Sequence, residues 1–274
     1  MLIAALPIRK RAAVTSTPRS DDRCRRGLEC GDRAAACECG GVPDYDAFAR
    51  DFDAHAQDSA YNAHYDRPAM LDLLGPVDGL RVLDAGCGSG LYAKELLAAG
   101  ATVSGFDASA DLIQIARQRL GPQVDLRVHD LNAPLHWIHD GSVDRVVMAL
   151  VLHHLPDPQP ALRELHRVLT SNGRLVVSTV HPTADWLRLG GSYFTDEMVT
   201  ETWNEGWLVH FRRAPLEAVM ADFTNSGFVI ERLIEPRPAA SMAQTYPDVH
   251  ERLSQEPGFV ALRLAKQPTH GTVD

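Results

Sequence analysis

Residues 81–90 read Arg-Val-Leu-Asp-Ala-Gly-Cys-Gly-Ser-Gly, a short apolar run and one carboxylate, Asp84, followed by glycines at 86, 88 and 90. Small apolar residues at 82 and 83 suit a strand covered on both faces. The glycines permit backbone angles and a close ligand approach that a Cβ would block. A helix opening at Leu91 would present its free first-turn N–H groups to whatever lies in the turn. The chemistry served by such an arrangement is the binding of a nucleotide-like cofactor. Any tight strand-to-helix turn in an α/β protein uses similar residues, so the surrounding sequence has to decide. Dinucleotide enzymes space their glycines G-x-G-x-x-G, the last one letting the helix pack closely on the strand. Here Leu91 occupies that third place.

The elements that must position this turn follow from periodicity. Over 43–74 the pattern is helical, with Tyr45, Phe48, Phe52 and Ala56 at three- and four-residue intervals and Pro68 opening a second helix. Strands are expected at 81–84, 102–106, 124–128, 143–149 and 174–180, with helices at 91–99, 110–120 and 159–169 between them. A Ser171-Asn172-Gly173 turn should precede the fifth strand. This alternation is the sequence form of a parallel sheet covered on both faces. Beyond it, 200–203 and 207–211 flank Asn204-Glu205-Gly206 as a hairpin. A helix at 215–224, a strand at 228–234, an irregular or helical insert at 238–256 and a last strand at 259–265 complete the chain.

Five segments carry a resemblance: Val82–Gly90, Gly105-Phe106-Asp107, His129-Asp130-Leu131, Asp144–Leu155 with its Leu152-His153-His154-Leu155, and Leu169–Ser178 around Gly173. With them, the chain from about Tyr61 to Lys266 resembles the class I S-adenosylmethionine (SAM)-dependent methyltransferases, and is most similar to the small-molecule enzymes of ubiquinone and menaquinone biosynthesis. The resemblance implies an α/β, Rossmann-like fold. Its seven-stranded, mostly parallel sheet has the order 3-2-1-4-5-7-6 with the last strand antiparallel, helices on both faces and a small lid. It also implies SAM as cofactor and a methyl acceptor of small size.

Roles follow residue by residue. Asp107 ends the second strand, where a carboxylate can accept both hydrogens of a ribose diol, and the resemblance implies the same role. The glycine turn (Gly86, Cys87, Gly88, Gly90) and Ala108 would line the cofactor. Asp84 would serve the methionine ammonium, Asp130 and the N–H of Leu131 the adenine, and Ala149 and Leu150 the methionine and sulfonium. Methyl transfer from a sulfonium is an in-line displacement that gains mostly from alignment and exclusion of water, so a base is optional. An amine acceptor need only be neutral, whereas a hydroxyl benefits from a residue titrating near neutrality. His154, after strand four, is the first candidate base, and His181, at the carboxyl edge after strand five, the second. Tyr61 and Tyr65, four apart on a helix face, either close over the cofactor or belong to the core. The aromatic segment from Trp186 to Phe211 is read as a substrate cap, with Tyr193, Phe194, Trp203 and Trp207 facing the acceptor; a satellite hydrophobic cluster would have the same composition.

Composition bounds the alternatives. At 274 residues and a net charge of −9, the chain suits one α/β domain without a basic stripe for nucleic acid or an anionic membrane. No apolar run approaches the roughly 18 residues of a membrane span, so a cytoplasmic protein is expected. Residues 1–42 hold four of the five cysteines and many arginines without periodicity, and read as a disordered leader before a domain of 43–274. Within that domain, 43–78 would form a helical lid and 183–212 the cap. The cysteine spacing is not that of a structural zinc site, and Cys87 has no base nearby in sequence. After strand four stands Ala149-Leu150-Val151-Leu152. Neither the Asn/Asp-Pro-Pro-aromatic motif of DNA amino-methylating enzymes nor the metal-binding aspartate of catechol-type enzymes is present there, so neither a nucleic-acid amine nor a metal is expected. An NAD-dependent oxidoreductase and a catalytically silent SAM-binding module remain as alternatives.

Overall fold

The computed structural model describes residues 45–203 and 206–267; the leader expected at 1–42 lies outside them. Two short helical pieces come first. A 3-10 turn, Tyr45–Phe48, runs into helix α1, Ala49–Gln57, and a single π turn, Asn62–Asp66, runs into α2, Arg67–Leu74, with Pro68 in its first turn. The alternating part follows: β1 Arg81–Ala85, α3 Leu91–Ala98, β2 Thr102–Asp107, α4 Ala110–Leu120, β3 Asp125–Val128, β4 Val143–Ala149, α5 Gln159–Val168 and β5 Leu169–Val180. Then come α6 Pro182–Leu189, β6 Glu197–Trp203, β7 Trp207–Arg213, α7 Leu216–Thr224, β8 Phe228–Ile234, α8 Met242–Thr245, α9 Pro247–Gln255 and β9 Phe259–Lys266.

Seven strands form one sheet in the order β3-β2-β1-β4-β5-β9-β8. Counted without the hairpin strands this is 3-2-1-4-5-7-6, as the resemblance implied. β1 to β5 are mutually parallel, and β9 runs antiparallel between β5 and β8. Successive residues point to opposite faces, so neighbours in one strand serve two cores. Leu83, Val146, Leu175 and Leu262 pack on one face with Leu162, Leu165 and Phe223 of α5 and α7. Val82, Val147, Val176 and Ala261 pack on the other with Met70, Leu73, Leu96 and Ile113 of α2, α3 and α4. Burial on both faces is why these strands read as near-continuous apolar runs. The parallel register brings the carboxyl ends of β1, β2 and β4 to one edge, where open α/β sheets bind ligands.

Two departures from the sequence reading have local causes. The Ser171-Asn172-Gly173 turn does not separate helix from strand. Leu169 already pairs with Val143, and the residues up to Arg174 bulge out while β4 advances only to Arg145. A Cβ on Gly173 would crowd Leu169 and the Thr170 carbonyl, so this bulge needs glycine. Helix α6 was not foreseen, although Pro182 in its first turn and Gly190 after it, at φ 72°, are ordinary helix boundaries. The 238–256 insert contains two helices, α8 and α9. The β6–β7 hairpin is a two-stranded sheet of its own, with Trp203 opposite Trp207. Among the described residues no helix is long and apolar enough to cross a membrane.

Candidate functional site

The turn after β1 takes backbone angles that its glycines adopt without strain. Gly86, Gly88 and Gly90 all have positive φ, at 78°, 52° and 80°. Their surroundings differ. A Cβ on Gly86 would overlap Val151 in the segment after β4, one on Gly90 would press on Leu120 and Ala116 of α4, and one on Gly88 would meet nothing. Gly86 therefore lets the turn close on the β4 end, and Gly90 lets α3 pack on α4. Gly86→Ala should cost about 1–2 kcal/mol in backbone strain alone, before the overlap with Val151, and urea unfolding would measure it.

Asp107 ties this turn to the next one. Its two carboxylate oxygens accept the N–H groups of Gly88 (2.8 Å) and Ser109 (2.9 Å). An ionised carboxylate has about four acceptor sites, so acceptor capacity remains for a diol. Ser109 caps α4 by accepting the N–H of Leu112 at 3.1 Å. Asp130 holds the third turn, its Oδ1 accepting the N–H (2.9 Å) and side-chain amide (2.8 Å) of Asn132. The floor is built by Ala149, Leu150 and Val151. Leu150 is the one described non-glycine residue with positive φ, at 58°, and its N–H is held by the Ser178 carbonyl and hydroxyl. Such strain persists only where surrounding contacts enforce it, and it concentrates at functional sites.

These groups surround a cavity of about 1540 Å3 of empty space, open mouth included. Of the cofactor residues named from sequence, Gly86, Cys87, Gly88, Asp107, Ala108, Asp130, Leu131, Ala149 and Leu150 line it. Asp84 and Gly90 do not; they lie behind the wall, Asp84 only 1% exposed. Burial pushes the Cys87 thiol well up, which fits a packing role.

Several aromatic and histidine side chains lie elsewhere than the sequence implied. Tyr61 and Tyr65 are core residues packed on Phe259 and Leu253 and do not line the cavity. The Tyr65 hydroxyl accepts the N–H of Gly258 at 3.0 Å, and Arg252 bonds the Tyr61 hydroxyl. His181 caps α6. Its Nδ1 accepts the Thr183 N–H at 3.1 Å, and its Nε2 lies 3.2 Å from Glu235, so both nitrogens are engaged outside the cavity. Tyr193 and Phe194 are also outside it, the first bonded to the N–H of Leu216 and the second 78% exposed. Trp203, Trp207 and His154 are in the wall, and so is His153, which bonds Thr179.

The sequence reading missed Tyr45, Phe48 and Phe52 as site residues; they line the cavity from the N-terminal helical segment and form its roof. Their helical spacing was legible; what it faced was not. Phe48 stacks on Trp207 at 4.7 Å with the planes 7° apart, joining the N-terminal helical segment to the hairpin. Two polar latches reinforce this. Asp46 accepts from the Ser109 hydroxyl (2.5 Å) and the Asp111 N–H (3.1 Å), and Asp53 pairs with Arg119 at 2.8 Å.

Whether the residues fit the cofactor implied by resemblance can be tested on orphaned atoms. Among the described residues, Asp66 Oδ1, Asp84 Oδ2 and Arg67 Nε are buried without a hydrogen-bond partner. Arg67 and Tyr92 line the cavity, and the Tyr92 hydroxyl donates to Asp66 Oδ2 at 2.6 Å. Burial raises the Asp84 carboxyl from 3.8 to about 7, with Asp107 adding to it, and raises Asp66 to about 6. Buried carboxylates that each keep one unmatched oxygen behind the wall, and the Arg67 cation in it, match a ligand carrying both an ammonium and a carboxylate. The donor set therefore fits the methionine end of SAM.

Residues 83–177 match a family described as "Methyltransferase domain". This stretch is a methyltransferase domain. It runs from β1 to β5 and so contains the glycine turn, Asp107, Asp130 and the floor. Curated proteins similar to it include the ubiquinone biosynthesis O-methyltransferase of Xanthomonas oryzae pv. oryzae, 37% identical over 118 residues, or 42% of this chain and 47% of that protein. The chain spans about half the length of the curated relatives it matches. Among solved structures, a putative S-adenosylmethionine dependent methyltransferase from Listeria monocytogenes aligns with a TM-score of 0.64 and 23% identity, over 74% of this chain and 97% of that one. The structure titled "DhpI-SAH complex" aligns with a TM-score of 0.55 and 21% identity over 82% and 94%. The methyltransferase domain and the helices and strands around it thus share the Rossmann-like fold of SAM-dependent methyltransferases.

Proposed function

We propose that this protein transfers a methyl group from SAM to a small-molecule acceptor. The observation that carries the reading is Arg67 and a glycine turn tied to Asp107 in one cavity with an aromatic roof, with the half-satisfied buried carboxylates of Asp84 and Asp66 behind its wall. Asp107 would hold the ribose diol, Asp130 and the Leu131 N–H the adenine, and Arg67 with the two buried aspartates the amino-acid end. The bound cofactor supplies the methyl as an electrophile. The chain supplies alignment against the floor at Ala149–Val151 and a roof that keeps water out, which is where most of the acceleration of such a displacement can arise.

A cofactor held this way favours the reading over a dinucleotide oxidoreductase, because Leu91 stands where the third glycine of that fingerprint would be. A small acceptor is favoured over a nucleic acid by the net charge of −9 and by the latched roof. The curated relatives' name, ubiquinone biosynthesis O-methyltransferase, supports a small acceptor too. Incubating the full chain with isotope-labelled SAM and a cell metabolite extract, followed by untargeted mass spectrometry, tests this. A product one labelled methyl heavier than a component of the extract is expected. Tight SAM binding with no labelled product across broad extracts would instead indicate a silent binding module.

A further inference from the structure

The hydrogen-bond polarity around His154 is fixed. Its Nδ1 lies 2.9 Å from the carbonyl oxygen of His210 on β7, and its Nε2 lies 3.2 Å from the Tyr45 hydroxyl. A carbonyl only accepts, so Nδ1 carries the proton and Nε2 of the neutral ring is a lone pair. Burial lowers the His154 pKa to about 4, which keeps the ring neutral. The Tyr45 hydroxyl must then donate to His154. Burial, and after it the nearby Asp107 carboxylate, raises the Tyr45 pKa, so this phenol keeps its proton. Its oxygen therefore offers lone pairs, and no proton, to the cavity that Tyr45 lines.

Three elements meet to make this arrangement. Tyr45 comes from the N-terminal helical segment, His154 from the 3-10 turn Leu152–His154 after β4, and His210 from the hairpin, where its ring is held by the Thr200 hydroxyl at 2.8 Å. Beside them, Phe48, Phe52, Trp203 and Trp207 form an aromatic wall, the Trp203 indole N–H bonded to Glu201 at 3.3 Å.

We propose that Tyr45, oriented by His154, is the residue that receives a hydroxyl of the acceptor. For the fate of that hydroxyl the proposal rests on the methyl-transfer reading. An aromatic amine attacks without losing a proton first, so a relay of this kind serves a hydroxyl. As the acceptor oxygen forms its new bond to the methyl carbon and the carbon–sulfur bond breaks, its proton moves to the Tyr45 oxygen while the Tyr45 proton moves to His154 Nε2. The positive charge that leaves the sulfonium is regained on the imidazole and departs with the proton to water. Tyr45 is the group in contact with the acceptor, and His154 is a positioning residue acting through it.

Two probes that differ only in the donor test this: 4-nitrophenol and its methyl ether 4-nitroanisole. Each is titrated into the full chain by calorimetry, with and without S-adenosylhomocysteine, at a pH below the phenol's own pKa. The native protein should bind the phenol about tenfold more tightly than the ether, as expected for one hydrogen bond into a buried acceptor. Tyr45→Phe should abolish the preference. His154→Ala frees the Tyr45 proton to face the cavity, so ether binding should strengthen while phenol binding does not, a change that a merely structural role for His154 would not produce. Retention of the preference in Tyr45→Phe, or no discrimination or no binding of either probe by the native protein, would overturn the proposal. S-adenosylhomocysteine affinity, read in the same titrations, separates the two readings: its absence sinks methyl transfer from SAM, whereas a phenol preference would stand without it.

Discussion

Asp84→Asn raises the melting temperature of the ligand-free protein and lowers its affinity for SAM. Both effects come from one buried carboxylate whose Oδ2 has no partner and whose other bond is to the Ala93 N–H. Its pKa is about 7 in the folded protein against 3.8 ordinarily, and that of Asp66 is about 6. The folded state therefore binds these protons more tightly than the unfolded chain. Their contribution is fully present below pH 3.8 and is lost as pH rises through about 6 to 7. At neutral pH the Asp84 shift corresponds to roughly 2–4 kcal/mol that asparagine, which cannot ionise, does not forfeit. Allowing for imperfect satisfaction of the new amide, a gain of roughly 1–2 kcal/mol, or several degrees in Tm, is expected. Calorimetric scans of the two proteins without ligand check the first effect and titration with S-adenosylhomocysteine the second. The same ionisation predicts that native affinity for this ligand increases with pH between about 6 and 7, because its ammonium meets the ionised form. A variant less stable than the native protein, with unchanged affinity, would mean that Asp84 serves packing alone.

Asp107→Ala should weaken cofactor binding by about 1.5–3 kcal/mol, roughly 10- to 150-fold, the range for hydrogen bonds to a charged acceptor. Two losses combine. The ribose diol loses its acceptor, and the Gly88 and Ser109 N–H groups, now at 2.8 and 2.9 Å from the carboxylate, lose theirs. The second loss loosens the turn that the first depends on. Asp107→Asn keeps one acceptor oxygen and should recover part of the affinity, whereas a purely structural aspartate would leave the dissociation constant of both variants near the native value.

The sheet was legible because its signals are local. Val82-Leu83, Val146-Val147 and Val176-Val177 are doubly covered strand residues, and no other placement buries both faces. The glycine turn was legible for the same reason, since φ of 78° at Gly86 is a demand of one residue on itself. What faces the turn from afar was not. Tyr45, Phe48 and Phe52 have the spacing of a helix face wherever that helix docks, and only the stack on Trp207 and the latch of Asp53 to Arg119 fix it over the cavity. Tyr61 and Tyr65 share that spacing and turn instead to Phe259. His181 and His154 both follow strands at the carboxyl edge. A proline at 182 starts a helix that takes the first as its cap, while the second is left between the N-terminal helical segment and the hairpin. Phe48 and Trp207, Tyr65 and Phe259, and Tyr45 and His154 are each more than a hundred residues apart, and no window of sequence contains such pairs.

Calorimetric titration of the full chain with S-adenosylhomocysteine and, separately, with NADH tests the account most directly. Saturable one-to-one binding of S-adenosylhomocysteine, weakened in Asp107→Ala, with no binding of NADH is the predicted result. Binding of NADH in preference to S-adenosylhomocysteine would contradict it.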